Sequence, residues 1–192
     1  NFSILALYGL PYGIDKITQN RFLDGLPPDN VIPSLFADKI IDLSLGSYLI
    51  GDWLSSDRPP LQTGFILWQG SFLIFPKIQG YLIGILCQSA SILGVIALMD
   101  FLGLSFKNYW KIILMIAGSG FFLLQTIYVW PKLLAALYVL LGCGIVLNRQ
   151  NQIRLSDAIL FGVCFGFAFL SHGGRSYSLI GIVIWMLFRW KN

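Results

Sequence analysis

The chain has 192 residues, 56% of them hydrophobic and only 11% charged, with a formal charge of +4 and a mean hydropathy of +0.74. Soluble domains carry about 25% charged residues, so the composition excludes an ordinary soluble globular protein and points to a chain embedded in lipid. Nucleic-acid binding is not indicated, because the basic residues form no stripe and sit mostly in short loops between apolar runs, where they report topology.

Residues 1–28 are mixed. Ile4 to Leu10 is apolar but too short to span, and Asp15, Lys16, Arg21 and Asp24 follow it, so this stretch reads as interfacial or extramembrane chain. The chain starts at Asn1 and stops just after an apolar run, without a signal-peptide pattern. We therefore expect a piece of a longer polytopic protein.

Pro27-Pro28-Asp29-Asn30 is a helix-start signal, prolines followed by a capping residue. The helix predicted after it, about Val31 to Leu43, puts Ile32, Leu35, Phe36, Ile40 and Leu43 on one face and Asp38, Lys39 and Asp42 largely opposite. It is short and amphipathic, a surface helix. The next polar island is Gly51-Asp52-Trp53-Leu54-Ser55-Ser56-Asp57-Arg58-Pro59-Pro60-Leu61. Ionisable residues gathered at a membrane edge are a functional-site hypothesis by default.

Pro59-Pro60 opens a helix predicted over about Leu61 to Phe75, carrying Gln62 and Gln69 and closing at Pro76-Lys77. Its length of roughly 22 Å falls short of the ~30 Å hydrocarbon core, so it reads as re-entrant or juxtamembrane. Spans are predicted over Tyr81–Leu102, Ile112–Val129, Leu133–Leu147, Ala158–Leu170 and Tyr177–Phe188. Cys87, Cys143 and Cys164 lie inside these runs without CxxC spacing and read as small buried hydrophobes.

Parity then sets the sides. With Leu61–Phe75 not crossing, Lys107, Lys111, Arg149, Arg154, Arg189 and Lys191 share one face, which the positive-inside rule makes cytoplasmic. Asp29, Asp52, Asp57, Arg58, Lys77, Lys132, His172 and Arg175 share the other. The expected fold is an all-α, polytopic transmembrane bundle. Residues 1–77 form its extracytoplasmic loop with juxtamembrane helices, and residues 78–192 its transmembrane helices.

Each polar constellation has a plain structural reading. Asp29-Asn30 can be a helix cap, and this is the first reading from local sequence. Asp57 can cap a proline-started helix while Arg58 snorkels to headgroups. His172, the single histidine, can be an interfacial residue, and Trp130-Pro131-Lys132 a belt residue, a helix-starting proline and an interfacial lysine. Taken together on one face, they supply a carboxylate base at Asp29 and several cations. Arg58 at a helix start forms an anion clamp, and Gly173 and Gly174 allow close backbone approach beside Arg175.

At these residues the chain resembles membrane glycosyltransferases of the GT-C class, such as the protein mannosyltransferases, aminoarabinose transferases and bacterial enzymes using polyprenyl-phosphate sugars. Asp29-Asn30 is similar to the Asp-Glu pair that opens a surface helix in those families, with Asn30 in place of the usual glutamate. Gly51-Asp52-Trp53-Leu54 and Asp57-Arg58-Pro59-Pro60-Leu61 are similar to their Gly-Asp-Trp-Leu and Glu-Lys-Pro-Pro-Leu boxes. Leu170-Ser171-His172-Gly173-Gly174 is similar to a later Leu-Thr-Lys-Gly-Pro segment, with histidine where lysine often stands. The likeness runs from about Pro27 to Gly174.

The resemblance implies transfer of a sugar from a polyprenyl-phosphate donor to a glycan, lipid or protein acceptor, with inversion, at the extracytoplasmic face of a bacterial plasma membrane. Asp29 would be the catalytic base. Asn30, Asp57, Arg58, Lys132, His172 and Arg175 would bind substrate and lipid phosphate, and Asp57 with His172 would be the place for a divalent metal if one is used. No other cofactor is implied. The competing readings are a transporter or flippase of a lipid-linked or polar substrate, and a non-catalytic scaffold whose polar loop binds a partner.

Overall fold

The structure, a computed structural model, describes residues 28–44, 46, 48–49, 59–70, 76–148, 154–175, 177–178 and 180–184. Its regular elements are all helical, with no strand among the described residues. A 3-10 turn, Pro28–Val31, leads into α1 (Ile32–Ile41). Then come α2 (Leu61–Gly70), α3 (Pro76–Ser89), α4 (Ser91–Phe101), α5 (Tyr109–Ala117), α6 (Gly120–Ile127), α7 (Lys132–Asn148) and α8 (Leu155–Ser171), and a 3-10 turn over Gly173–Arg175. The chain divides into two compact units, Asn1–Gln88 with Ala117–Trp130, and Ser89–Ile116 with Pro131–Asn192.

The elements end where local chemistry interrupts them. Gly103, at φ +70°, makes the left-handed turn after α4 that a side chain would resist. Gly118-Ser119 breaks the apolar run predicted as one span over Ile112–Val129 into α5 and α6. Pro76 begins α3, where its missing N–H costs nothing.

In the first unit α1 packs on α2. The sequence pattern puts Ile32, Leu35, Phe36, Ile40 and Leu43 inward, but the residues of α1 that are buried are Ile32, Pro33 and Ala37. Leu43 leaves the helix at φ 55° and is exposed. The reason is proximity: Ala37 is small enough to meet Ile66 of α2 and Ile83 of α3 in one apolar cluster, with Phe65, Leu67 and Cys87 packed around it. Gly80 serves the same end, since a Cβ there would collide with the Ser34 side chain. α2 is 10 residues long, about 15 Å, and the expected extension to Phe75 lies outside the described residues.

The second unit is built on α7, which packs against both α4 and α8. Gly94 of α4 lies against Leu137, and Phe101 against Gly144. Residue numbers rise together along the two helices, so α4 and α7 run parallel. The Tyr138 ring packs on Phe167 at 5.1 Å, whereas Gly142 meets Phe161 and Cys164. Here one number rises as the other falls, so α7 and α8 are antiparallel. One end of the unit therefore holds the starts of α4 and α7 and the close of α8. The other holds the end of α4, the start of α8, and the start of α5, where the Tyr109 hydroxyl donates to Asp100 Oδ1 at 3.4 Å.

Gly80–Phe101, 22 residues, is the one helix among the described residues that is long and apolar enough by itself to cross a membrane; Phe106–Ala117 and Gly120–Ile127 meet the same test only as a broken pair. α7 and α8 have 17 residues each, about 25 Å against a hydrocarbon core of ~30 Å. Of the expected last span, Tyr177–Phe188, the described positions 177–178 and 180–184 are helical.

Candidate functional site

The site residues expected from sequence fall in both units. Asp29 and Asn30 lie in the 3-10 turn that enters α1. Asp57, Arg58 and the Gly51–Leu54 box lie outside the described residues. Lys132 opens α7, His172 is the C-terminal cap residue of α8, and Arg175 ends the 3-10 turn after it.

Asn30 does not cap the helix. The cap position is Val31, in a right-handed helical conformation with no side-chain cap hydrogen bond. Asn30 is only 2% exposed, and neither its Nδ2 nor its Oδ1 has a hydrogen-bond partner. A buried amide that makes neither of its bonds is costly, which is why such groups are rare in folded chains. The capping reading of Asn30 is thereby excluded on geometry.

Behind α1 lies a polar core that the sequence reading did not locate. Gln62 and Thr63 of α2 and Gln88 of α3 are all 2% exposed or less. Gln88 Nε2 donates to Gln62 Oε1 at 3.0 Å, and Gln62 Nε2 donates to the Val129 carbonyl at 2.9 Å. The Thr63 hydroxyl donates to the Pro33 carbonyl at 3.2 Å, tying α2 to the first turn of α1. Val129 sits at φ 62°, a conformation that a β-branched residue adopts only under constraint. Its side chain occupies the space over Gly84, where a Cβ would collide with Val129 Cγ1 and approach Gln62 Nε2 to 3.2 Å. The signal available in the sequence was the pair Gln62 and Gln88, each inside an apolar run; their burial depends on the fold.

In the second unit the antiparallel pairing of α7 and α8 brings Lys132, His172 and the Gly173–Arg175 turn to one end, and that turn packs on α7. The His172 position is defined by its backbone. Its N–H donates to Ala168 O at 3.0 Å, the Ser171 hydroxyl donates to Phe167 O at 2.7 Å, and at φ −159° the chain leaves the helix extended. The imidazole lies over Gly174, where a Cβ would stand 3.3 Å from Cε1 and 3.4 Å from Nδ1. A side chain at 174 would make the ring give by a few tenths of an ångström. At the far end are Lys107, Lys111 and Arg154, with Lys111 Nζ 5.9 Å from the Trp110 ring centroid.

Among the described residues no group of three or more His, Cys, Asp or Glu side chains is placed to hold a metal ion. Of the two residues named for a divalent metal, His172 is half-buried beside Gly174, and Asp57 is outside the described residues. No protein-family model, curated protein or solved structure matches the chain.

Proposed function

We propose that the chain belongs to a polytopic membrane glycosyltransferase of the GT-C type, which transfers a sugar from a polyprenyl phosphate to an acceptor at the extracytoplasmic face with inversion. The observation that carries the reading is the alternation of the second unit. Parallel α4 and α7 with antiparallel α8 put Lys132, His172 and Arg175 at one end and Lys107, Lys111 and Arg154 at the other. Three Lys or Arg at the second end against two at the first is a small excess, and under the positive-inside rule it supports a cytoplasmic second end. The exposed residues of α8 support burial in lipid: Leu155, Ile159, Leu160, Val163, Phe169 and Leu170 are all open.

The chemistry follows from the parts. Asp29 takes the proton from an acceptor hydroxyl or amine, which attacks the anomeric carbon from the face opposite the phosphate. The C–O bond to the carrier breaks, and the polyprenyl phosphate leaves with the electron pair. Arg58, Lys132, His172 and Arg175 are the cations that the resemblance assigns to the charge growing on its oxygens. One displacement inverts the anomeric configuration.

The test is to incubate the full-length protein in membrane vesicles with radiolabelled undecaprenyl-phosphate hexose and follow the label. Loss of label from the lipid, slowed by Asp29→Asn and by His172→Ala, is the expected result. Passage of intact labelled lipid between leaflets with no loss of sugar would make the protein a transporter. Full transfer by Asp29→Asn would remove the base from the scheme.

A further inference from the structure

We propose that the corner between α4 and α5 is a docking site for anionic phospholipid headgroups, held by Lys107 and Lys111 and seated by Phe106 and Trp110. The step rests on the chain lying in lipid and holds whether or not the protein transfers sugar. Phe106–Ala117 is one continuous helical stretch, so residues four apart along it lie one above the other. Phe106, Trp110 and Leu114 form one such row, and Lys107, Lys111 and Met115 form the row beside it. All six are exposed, Phe106 at 81% and Trp110 at 58%. Tyr109 is buried on the opposite side and donates to Asp100 Oδ1 at 3.4 Å. Ile112, Ile113 and Ile116, which share that side with it, are half-buried. One side of the helix is thus committed to the protein, and the other is left open with both lysines on it.

The open side is ordered as a lipid leaflet is. The lysines and the two rings occupy the first turns, and Leu114 and Met115 follow about 6 Å further along the axis. Ammonium groups at headgroup level, aromatic rings at the boundary and aliphatic side chains among the tails is the sequence of environments that a helix meets on entering a bilayer. Among the described residues neither lysine is paired with a carboxylate, and Lys111 Nζ stands 5.9 Å from the Trp110 ring centroid. Asp100, the acid at this corner, accepts from Tyr109 instead. Two lysines against one acid leave the corner positive, which favours an anionic headgroup over a zwitterionic one. An acidic protein would answer the lysines, but the passage from charge to ring to aliphatic chain along one helix fits a leaflet better.

To test this, the full-length protein is reconstituted in phosphatidylcholine vesicles, and the emission of Trp110 is taken as the difference between each protein and its Trp110→Phe counterpart. The vesicles carry a fixed fraction of lipid brominated on the upper acyl chain, with either a phosphatidylglycerol or a phosphatidylcholine headgroup. Brominated phosphatidylglycerol should quench Trp110 more strongly. Each lysine near an anionic surface contributes about fivefold to the preference, so Lys107→Gln should lower it by about that factor and Lys107→Gln/Lys111→Gln should abolish it. Lys107→Arg should keep it, and high salt should weaken it. Melting temperatures should not change, because both lysines are exposed. Equal quenching of the wild type by the two lipids overturns the proposal and leaves a plain lipid-facing helix. Quenching by neither shows that protein covers the face, and a preference that survives the double variant places the charge elsewhere; both also overturn it. A phosphatidylglycerol preference in a protein that transfers no sugar supports the proposal and removes only the transferase reading.

Discussion

Replacing Gln62 by leucine tests the polar core of the first unit directly. The side chain is almost fully buried and makes two hydrogen bonds, accepting from Gln88 Nε2 at 3.0 Å and donating to the Val129 carbonyl at 2.9 Å. Leucine fills much the same volume, so no large cavity opens, but Val129 O and Gln88 Nε2 each lose the bond to residue 62. Each buried group orphaned of such a bond costs about 1–3 kcal/mol, giving roughly 2–6 kcal/mol at most before relaxation. For a chain of this size that corresponds to a fall in melting temperature on the order of 5–20 °C. The assay is thermal unfolding in detergent followed by far-UV circular dichroism, with Gln69→Leu on the same helix as the control, because Gln69 is only half-buried. The double variant Gln62→Leu/Gln88→Leu removes one orphan and should lose less than the sum of the two single variants. If Gln62→Leu melts with Gln69→Leu, the network does not hold the unit together.

Three further outcomes follow from the geometry. Gly94→Ala should destabilise the second unit by about 1–3 kcal/mol, because the new Cβ would stand 3.0 Å from the Leu137 carbonyl and 3.1 Å from its Cα, both backbone atoms that cannot rotate away; thermal unfolding in detergent reads it. Asp157→Ala removes the carboxylate that accepts the Arg154 N–H at 3.1 Å at the start of α8 and should cost about 1 kcal/mol, with faster amide exchange confined to that end of the helix. Gly174→Ala should leave the melting temperature nearly unchanged, since that position is exposed, yet displace the imidazole of His172 and lower sugar transfer from undecaprenyl-phosphate hexose; full activity would show that the ring position does not matter.

Helices α7 and α8 of the second unit were legible because their borders carry strong local signals. Pro131 and the basic stretch of sequence at 149–154 bracket α7, and His172-Gly173-Gly174 stops α8, so the predicted runs Leu133–Leu147 and Ala158–Leu170 differ from Lys132–Asn148 and Leu155–Ser171 by at most three residues at any end. The break at Gly118-Ser119 was missed because hydropathy averages over a glycine and a serine, whereas the backbone responds to each residue. The buried face of α1 was misread for a different reason. Periodicity ranks residues by greasiness, but the helix buries Pro33 and Ala37 because small residues let α2 approach closely. The boxes at 51–58, the most informative part of the sequence, lie outside the described residues.

The buried polarity of the first unit leads to a final test. Among the described residues, its buried polar side chains are neutral amides and hydroxyls: Asn30, Gln62, Thr63, Gln88, Gln125 and Thr126. The buried polar set of the second unit includes an acid, Asp157, which accepts the Arg154 N–H. Neutral groups can be sealed from water once hydrogen-bonded, whereas an ion would carry a desolvation penalty of several kcal/mol. Gln62→Glu converts one into the other without changing shape. A protonated glutamic acid can still donate to Val129 O and accept from Gln88, but the carboxylate loses the donor and turns an oxygen toward a carbonyl. Burial therefore raises the folded-state pKa of the introduced carboxyl above the ~4.3 of the unfolded chain. With the folded value raised, the variant should match the wild type below about pH 4. It should lose stability as the pH climbs from there toward the folded pKa, at about 1.4 kcal/mol per pH unit. Melting temperatures of the two proteins, measured side by side from pH 4 to pH 8, should diverge steadily until the folded pKa is passed; a constant gap would mean that residue 62 is in contact with water and that the interior of the first unit is not sealed.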